Sequence, residues 1–151
     1  RRTTEPPYRL PPRLFHTPSD APLTTNAYVV WQCLHPACIQ RSFLADLLVI
    51  APSSAHVMAE LWHGLAGLPR AALALATRAP IRLAPAMNGK MWEHPATKEN
   101  VATLGARGVE FIGPEAGMLA CGYEGIGRLG KVDEIALGAR LLLARRGKLI
   151  A

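Results

Sequence analysis

The chain has 151 residues, the length of one ordinary domain, of which 50% are hydrophobic and 19% are charged. This balance excludes a disordered tail, and no apolar run reaches the length of about 20 residues that a membrane span needs. The formal net charge of +6 suits a phosphorylated ligand or an acidic peptide, whereas dispersed basic residues and 6% aromatic content argue against nucleic acid. Three cysteines cannot all pair with one another, which favours a reducing, cytoplasmic compartment and leaves one thiol for another task.

Proline and glycine are unevenly distributed along the chain. Six of the 13 prolines lie within residues 1–22, and all 13 glycines lie at Gly64 or later. Because a phosphate-binding turn of the usual kind needs glycine, residues 1–63 are predicted to lack one. The proline-rich stretch at 1–22 is predicted to be an extended arm. Alternation of strands and helices begins only near residue 45, so we divide the chain into residues 1–44, which contain the arm and a further segment, and one domain, residues 45–151.

Within the predicted domain, short apolar runs alternate with segments of helical spacing. The run at 47–51 is typical of a strand buried on both faces, and the serines that follow it can cap a helix. Asp133 is predicted to cap the last helix. This alternation indicates an α/β fold with a parallel sheet covered by helices on both faces. The predicted strands are 47–51, 81–85 and 109–112, and the predicted helices are 55–65, 69–77, 95 to 105 or 108, and 133–146.

Ligands of such sheets bind in the crevice beyond the carboxyl ends of the strands. The segments that follow the three predicted strands, 52–56, 86–92 and 113–128, are therefore the candidate site. In the first segment, Ser53 and Ser54 begin a helix. They can serve as an ordinary N-cap, or they can hold a phosphate or a ribityl hydroxyl at the helix N-terminus.

The second segment begins with Asn88, whose carboxamide can hydrogen-bond a carboxylate or an amide of a ligand. Met91 and Trp92 would then form an apolar wall that excludes water. The alternative is a turn asparagine, with Met91 and Trp92 in the core. The spacing leaves both interpretations open.

The third segment places Cys121 among three glycines. Such a segment is predicted to be a flexible loop that closes over a site and then opens. Structural cysteines tend to lie in apolar runs, so a glycine-flanked cysteine favours a chemically active thiol.

In three signatures the chain resembles the flavin-dependent cysteine decarboxylases. These are Ala-Pro-Ser-Ser-Ala at 51–55, Pro-Ala-Met-Asn at 85–88 with Met-Trp and Pro-Ala-Thr after it, and Leu-Ala-Cys-Gly at 119–122 with Gly-Arg after it. The family contains phosphopantothenoylcysteine decarboxylases of coenzyme A biosynthesis and enzymes acting on the C-terminal cysteine of ribosomal peptides. The resemblance covers residues 45 to about 135.

The resemblance implies a Rossmann-like, flavodoxin-type three-layer sandwich that binds FMN and assembles as homotrimers or as dodecamers built from trimers. It implies a carbon–carbon lyase in which FMN takes a hydride from the carbon bearing sulfur. The resulting thioaldehyde then loses CO2 and becomes an enethiolate. In the coenzyme A branch the hydride is returned while a cysteine supplies a proton; in the peptide branch the enethiol is released.

The same resemblance assigns roles to individual positions. Cys121 would donate the proton, and His35 would be a second catalytic residue. Asn88, Ala120 and Met91 would contact the substrate. The flavin would be lined by Ser53, Ser54, His56, Ala86 and Met87, and no metal is expected.

Three features depart from the family pattern. The glycine-serine phosphate loop near the front is absent, and His56 stands where the family usually has asparagine. The usual position of the family's catalytic histidine, just before the strand at 47–51, corresponds to Cys38 in this chain. His35 lies three residues upstream of that position. Zinc binding by the Cys33, His35 and Cys38 cluster is disfavoured because no fourth ligand lies nearby.

Three function classes follow. The leading one is decarboxylation of a cysteine-terminated substrate, with phosphopantothenoylcysteine favoured by the full Ala-Cys-Gly context and a peptide substrate as the alternative. The second is a catalytically degenerate flavin-binding regulatory subunit, which the missing loop supports. The third, a flavin prenyl-transferring enzyme, is disfavoured because Pro-Ala-Met-Asn would have no role in it.

Overall fold

The centre of the fold is a parallel four-stranded sheet. The computed structural model of the chain describes residues 27–29 and 45–146. The strands lie in the order β1-β2-β3-β4, with β1 pairing residues 27–29 with residues 47–49 of β2. The strands are β1 (Ala27–Val29), β2 (Leu47–Ser53), β3 (Ile81–Pro85) and β4 (Glu110–Phe111).

Five helices and a hairpin surround this sheet in the part of the chain that the structure describes. None of these helices combines the length and the apolarity that crossing a membrane requires. The helices are α1 (Ala55–His63), α2 (Pro69–Ala76), α3 (Gly89–Glu93), α4 (Pro95–Ala106) and α5 (Val132–Arg145), and the hairpin strands are β5 (Glu115–Met118) and β6 (Glu124–Arg128).

Strand β2 is buried on both faces, as its continuous apolar run predicts. Successive side chains of a strand point to opposite faces, so Leu48 and Ile50 enter one core and Leu47 and Val49 enter the other. The three-layer arrangement predicted from the sequence is therefore confirmed. The first core also contains Val57, Met58, Leu61, Ala71, Leu83, Trp92 and Leu104, and the second contains Ala84, Ile135, Leu142 and Leu143.

Helix α1 has defined ends that fix where the site begins. The Ser54 hydroxyl accepts the Val57 N–H at 3.4 Å, as an N-cap should. Gly64, with φ of 69°, ends the helix in the left-handed conformation that glycine adopts without steric cost. Strand β2 extends to Ser53, two residues beyond the predicted end, so the serine pair straddles the boundary between strand and helix.

The predicted cap of the last helix is wrong. Helix α5 follows Lys131, which makes no side-chain capping bond, and Asp133 lies inside the first turn. The acceptor for the Lys131 N–H comes from the hairpin, because the Glu115 carboxylate accepts it at 3.2 Å. A tertiary contact thus replaces the local cap.

The predicted flexible loop at 113–128 is also wrong in form. Strands β5 and β6 pair antiparallel over most of this segment, with Ala116 opposite Ile126 and Met118 opposite Glu124. The pairing shifts at Gly127, which has no partner between the pairs Ala116–Ile126 and Glu115–Arg128, whereas Gly117 pairs directly with Gly125. The segment therefore presents Cys121 from the closed end of a hairpin, which is a more constrained position than a free loop.

Candidate functional site

The carboxyl ends of β2 and β3 meet at one edge of the sheet. The Ala86 N–H donates to the Ser53 carbonyl at 3.0 Å, and Ser53 is in register with Pro85 after an irregularity in the pairing. Parallel strands with this geometry bring the segments that follow them together. Residues 52–56 and 86–92 therefore share the edge at which the sequence predicts a ligand.

The hairpin is fastened to this edge by a close backbone approach. The Met87 N–H donates to the Gly127 carbonyl at 2.9 Å. A side chain at Gly127 would collide with the Met87 carbonyl, and one at Gly89 would stand 2.8 Å from the Ile126 carbonyl. Both glycines are thus needed because two backbones touch here.

The best-defined polar arrangement joins Asn88 to Cys121. The Asn88 side-chain amide donates to the Cys121 sulfur at 3.2 Å across 33 residues of sequence. The Asn88 side-chain oxygen accepts the Lys90 N–H at 2.9 Å, which caps helix α3. It also accepts the Tyr123 hydroxyl at 2.7 Å. The asparagine is therefore a helix cap, as the turn interpretation predicts, and also a partner of the exposed thiol.

Two of these contacts have no counterpart in the sequence signals. Tyr123 falls at an unassigned position of the Ala-Cys-Gly signature, and Gly127 belongs to the Gly-Arg pair of that signature, which gives no indication of a contact with Met87. Their partners lie more than thirty residues away along the chain. Spacing within the hairpin cannot reveal such contacts.

A groove of about 360 Å³ opens between α1, α3 and α4. Met91, which is 48% exposed, lines this groove. Lys90 and His94 contribute cationic or ionisable groups to the same groove. The His94 imidazole also caps α4 by accepting the Ala96 N–H at 3.2 Å. The groove thus combines apolar surface with groups that suit an anionic ligand.

Trp92 does not form the apolar wall predicted for it. Its side chain is 8% exposed and belongs to the core cluster with Leu104 and Leu83. Met91, the preceding residue, projects from α3 about 100° away from Trp92 and meets the groove. The ammonium group of Lys98 lies 4.6 Å from the centre of the indole ring, a cation–π distance.

The serine pair fits a bound cofactor in part. Ser54 is committed to the helix cap, but the Ser53 hydroxyl is fully buried and has no hydrogen-bond partner among the described residues. A buried hydroxyl without a partner is costly, and a ligand at this edge would relieve that cost. Ala86 and Met87 follow strand β3 at the same edge, and their backbone N–H groups donate to the carbonyls of Ser53 and Gly127.

His56 lies one residue into α1 and is exposed. Its Nε2 atom is 3.4 Å from the carboxylate of Glu60, one turn along the helix. That carboxylate is buried and also lies 3.5 Å from the Arg70 guanidinium. The imidazole of His56 thus lies beside a carboxylate. The proteins that the chain resembles usually carry a neutral asparagine amide at this position.

The remaining predicted positions are distributed as follows. Ala120 is exposed and precedes Cys121 at the closed end of the hairpin. His35 lies outside the described residues, as do Cys33 and Cys38. Within residues 45–146 and 27–29, no cluster of three His, Cys, Asp or Glu side chains is arranged to hold a metal ion.

The carboxyl group of Glu115, in the hairpin, has a lowered pKa. The Arg128 guanidinium, 2.9 Å from Glu115, lowers the pKa of that carboxyl, and the Lys131 N–H lowers it further. A group that donates a hydrogen bond to the charged form favours that form. Glu115 thus holds β5, β6 and the start of α5 together through its negative charge.

Comparison with known proteins places this arrangement in a family. The family described as Flavoprotein matches residues 24–139, which is most of the chain. The chain belongs to the Flavoprotein family. Its members include a relative from Haemophilus influenzae, the coenzyme A biosynthesis bifunctional protein CoaBC, with 47% identity over 97 residues. These residues cover 64% of this chain and 24% of that protein, so the chain spans about a quarter of the length of the curated relatives it matches.

Solved structures of flavoproteins resemble the fold. A mutant PPC decarboxylase complexed with pantothenoylaminoethenethiol superposes with a TM-score of 0.69 and 32% identity, over 72% of this chain and 60% of that one. The FMN-dependent cysteine decarboxylase SpaF superposes with a TM-score of 0.58 and 31% identity, over 72% and 58%. The predicted family, the fold and FMN as the flavoprotein's cofactor are confirmed.

Proposed function

We propose that this flavoprotein decarboxylates a cysteine-terminated substrate with FMN, and that phosphopantothenoylcysteine is the substrate. The observation that carries the proposal is the Asn88–Cys121 hydrogen bond at the carboxyl edge of the sheet. It places a neutral donor and an exposed thiol together at the edge where flavodoxin-like sheets bind ligands. When bound there, FMN supplies reversible two-electron chemistry through hydride transfer.

Asn88 acts in this proposal as the grip on the substrate. Because two donors occupy its side-chain oxygen, the amide can offer only N–H groups to a ligand. An N–H group suits the carboxylate or the neighbouring amide oxygen of a C-terminal cysteine. Using a neutral amide rather than a cation leaves the carboxylate free to depart as CO2.

Cys121 acts as the proton donor. Its side chain is exposed and forms no disulfide, so the thiol is accessible to a ligand at this edge of the sheet. The Asn88 amide, 3.2 Å from the sulfur, stabilises the thiolate that remains after the proton has left. The reductive branch needs such a donor and the peptide branch does not, which favours phosphopantothenoylcysteine over a peptide.

The charge of the chain and of the groove supports the same choice. The net charge is +6, and Lys90 and His94 line the groove beside Met91. A phosphorylated substrate would be attracted to such a surface. Ala120, next to the thiol, would contact the reacting part of the substrate.

The test is flavin content together with product mass. The purified protein is expected to be yellow, with FMN near one per chain. Phosphopantothenoylcysteine is expected to lose the mass of CO2 and nothing more. A peptide ending in cysteine that lost CO2 plus two hydrogens would favour the oxidative branch. Protein that binds FMN but converts neither substrate would favour a degenerate subunit and contradict the proposal.

A further inference from the structure

The hydroxyl of Tyr123 completes a hydrogen-bonded chain that runs to the sulfur of Cys121. It donates to the Asn88 oxygen at 2.7 Å, and the Asn88 amide nitrogen in turn donates to the sulfur at 3.2 Å. We propose that Tyr123 is a positioning residue that fixes the orientation of the Asn88 carboxamide, so that its N–H groups face Cys121 and the substrate. This inference rests on the proposed role of Asn88.

The direction of each hydrogen bond follows from what its atoms can do. The Lys90 backbone N–H can only donate, so the Asn88 atom 2.9 Å from it must be the oxygen. An amide oxygen only accepts, so the Tyr123 hydroxyl must be the donor in its bond to Asn88. The nitrogen of Asn88 is left facing Cys121 with two N–H groups. One meets the sulfur and the other is available to a ligand.

Two donors hold the carboxamide more firmly than one. If the Lys90 N–H were the single donor to the Asn88 oxygen, the carboxamide could still rotate about that hydrogen bond. The Tyr123 hydroxyl fills the second lone pair of the oxygen and withdraws charge from the amide, which strengthens its N–H groups as donors. Tyr123 therefore acts on the thiol through Asn88 and not by contact of its own.

The hairpin holds Tyr123 in this position. The Leu119 N–H donates to the Tyr123 carbonyl at 2.9 Å, which closes the turn that carries Cys121. The phenol ring lies against Gly125, where an added side chain would approach the ring to 3.2 Å. Ring and backbone are thus fixed independently of the hydroxyl, so removing the hydroxyl leaves the packing in place.

The experiment measures alkylation of Cys121 by iodoacetamide in the FMN-loaded protein at neutral pH. Mass spectrometry of the peptide that contains Cys121 separates its reaction from those of Cys33 and Cys38. Thiolate is the reactive form, so weaker donation from Asn88 slows the reaction. We expect Tyr123→Phe to slow alkylation by about 2- to 10-fold, the effect of losing one ordinary hydrogen bond.

A double-mutant cycle distinguishes positioning from a structural role. In an Asn88→Ala background, Tyr123→Phe should cause no further change, because the amide through which it acts is absent. Glu124→Gln, an exposed change in the same hairpin, is the matched control and should leave the rate unchanged. An unchanged or faster rate in Tyr123→Phe, or the same slowing in the Asn88→Ala background, would overturn the inference.

Turnover gives a second readout if the proposed function holds. Weaker substrate binding by Asn88 should raise KM for phosphopantothenoylcysteine by about 2- to 10-fold in Tyr123→Phe, and weaker stabilisation of the Cys121 thiolate should lower kcat as well. A fall in kcat with constant KM would contradict positioning of the substrate. The alkylation cycle needs no substrate, so it still tests the inference in a protein that proves to lack decarboxylase activity.

Discussion

Single side chains at the sheet edge carry more than one task. Asn88 lies in the connection that follows strand β3, caps helix α3 and donates a hydrogen bond to the Cys121 sulfur. A residue with three constraints has little conformational freedom to lose when a ligand binds, which favours binding.

Replacing Cys121 by Ser should stop the reductive branch after CO2 has left. A serine hydroxyl is a much weaker acid than a thiol, so the enethiol is not protonated at carbon and accumulates. Mass spectrometry should show a product two hydrogens lighter than the wild-type product. Full conversion to the reduced thiol by Cys121→Ser would show that another group supplies the proton.

Replacing Gly127 by Ala should separate the hairpin from the edge of the sheet. The new side chain would collide with the Met87 carbonyl, and φ of 142° is strained for any residue with a side chain. We expect a loss of about 1 to 3 kcal/mol in the free energy of unfolding, together with weaker FMN retention. Urea unfolding and flavin absorbance measure the two effects.

Gly105→Ala is the matched control for that change. Gly105 lies in α4 with no atom within 4 Å of an added side chain. Alanine in a helix should stabilise the protein by about 0.5 to 1 kcal/mol. Equal effects of the two substitutions would contradict the close backbone approach as the reason for Gly127.

Among the elements, the β5–β6 hairpin depends on a carboxylate at its base. Glu115 accepts from Arg128 on the partner strand and from the backbone of Lys131 at the start of α5. The hairpin, the helix and the sheet edge are thereby linked through one negative charge. Acid should weaken that link.

Replacing Glu115 by Gln should lower stability at neutral pH and have little effect in acid. Hydrogen bonds from Arg128 and Lys131 lower the pKa of the Glu115 carboxyl, so its contribution is present above the ordinary carboxyl pKa. That contribution is lost as pH falls through the lowered value. The urea midpoints of both proteins, followed from neutral pH downward, should therefore converge.

Glu134→Gln serves as the control for Glu115→Gln. Glu134 pairs with the Lys131 side chain at 3.3 Å, and both partners are largely exposed. Such pairs contribute little to stability. A constant difference between Glu115→Gln and wild type at every pH would show that geometry, and not charge, is what the carboxylate supplies.

For the molecule as a whole, the two cores on either side of the sheet set the stability. Leu83 of β3 is fully buried in the core that faces α1 and α4. Leu83→Ala should lower the free energy of unfolding by about 2 to 5 kcal/mol, because apolar contacts are lost and the sheet cannot close the cavity that remains. Denaturant unfolding measures this cost. Leu75, 53% exposed, provides the control, since Leu75→Ala should change stability by less than about 0.5 kcal/mol.

Local sequence patterns were sufficient to predict strands β2 to β4, the four longer helices and the segments that follow the strands. Apolar runs such as 47–51 specify a buried strand because burial depends on the side chains of that strand alone. Helix starts at Ser54 and Pro95 follow from equally local chemistry. The Pro-Ala-Met-Asn and Ala-Cys-Gly signatures located Asn88 and Cys121.

How those segments act together depends on contacts between residues that are distant along the chain. The Asn88–Cys121 bond joins residues 33 positions apart, and it exists because Gly127 lets the hairpin backbone reach Met87. The inward position of Trp92 and the cap that Glu115 supplies to α5 depend likewise on where neighbouring elements lie. A hydrogen bond requires two groups within about 3 Å, and that distance is set by sheet register and backbone contact rather than by separation along the chain.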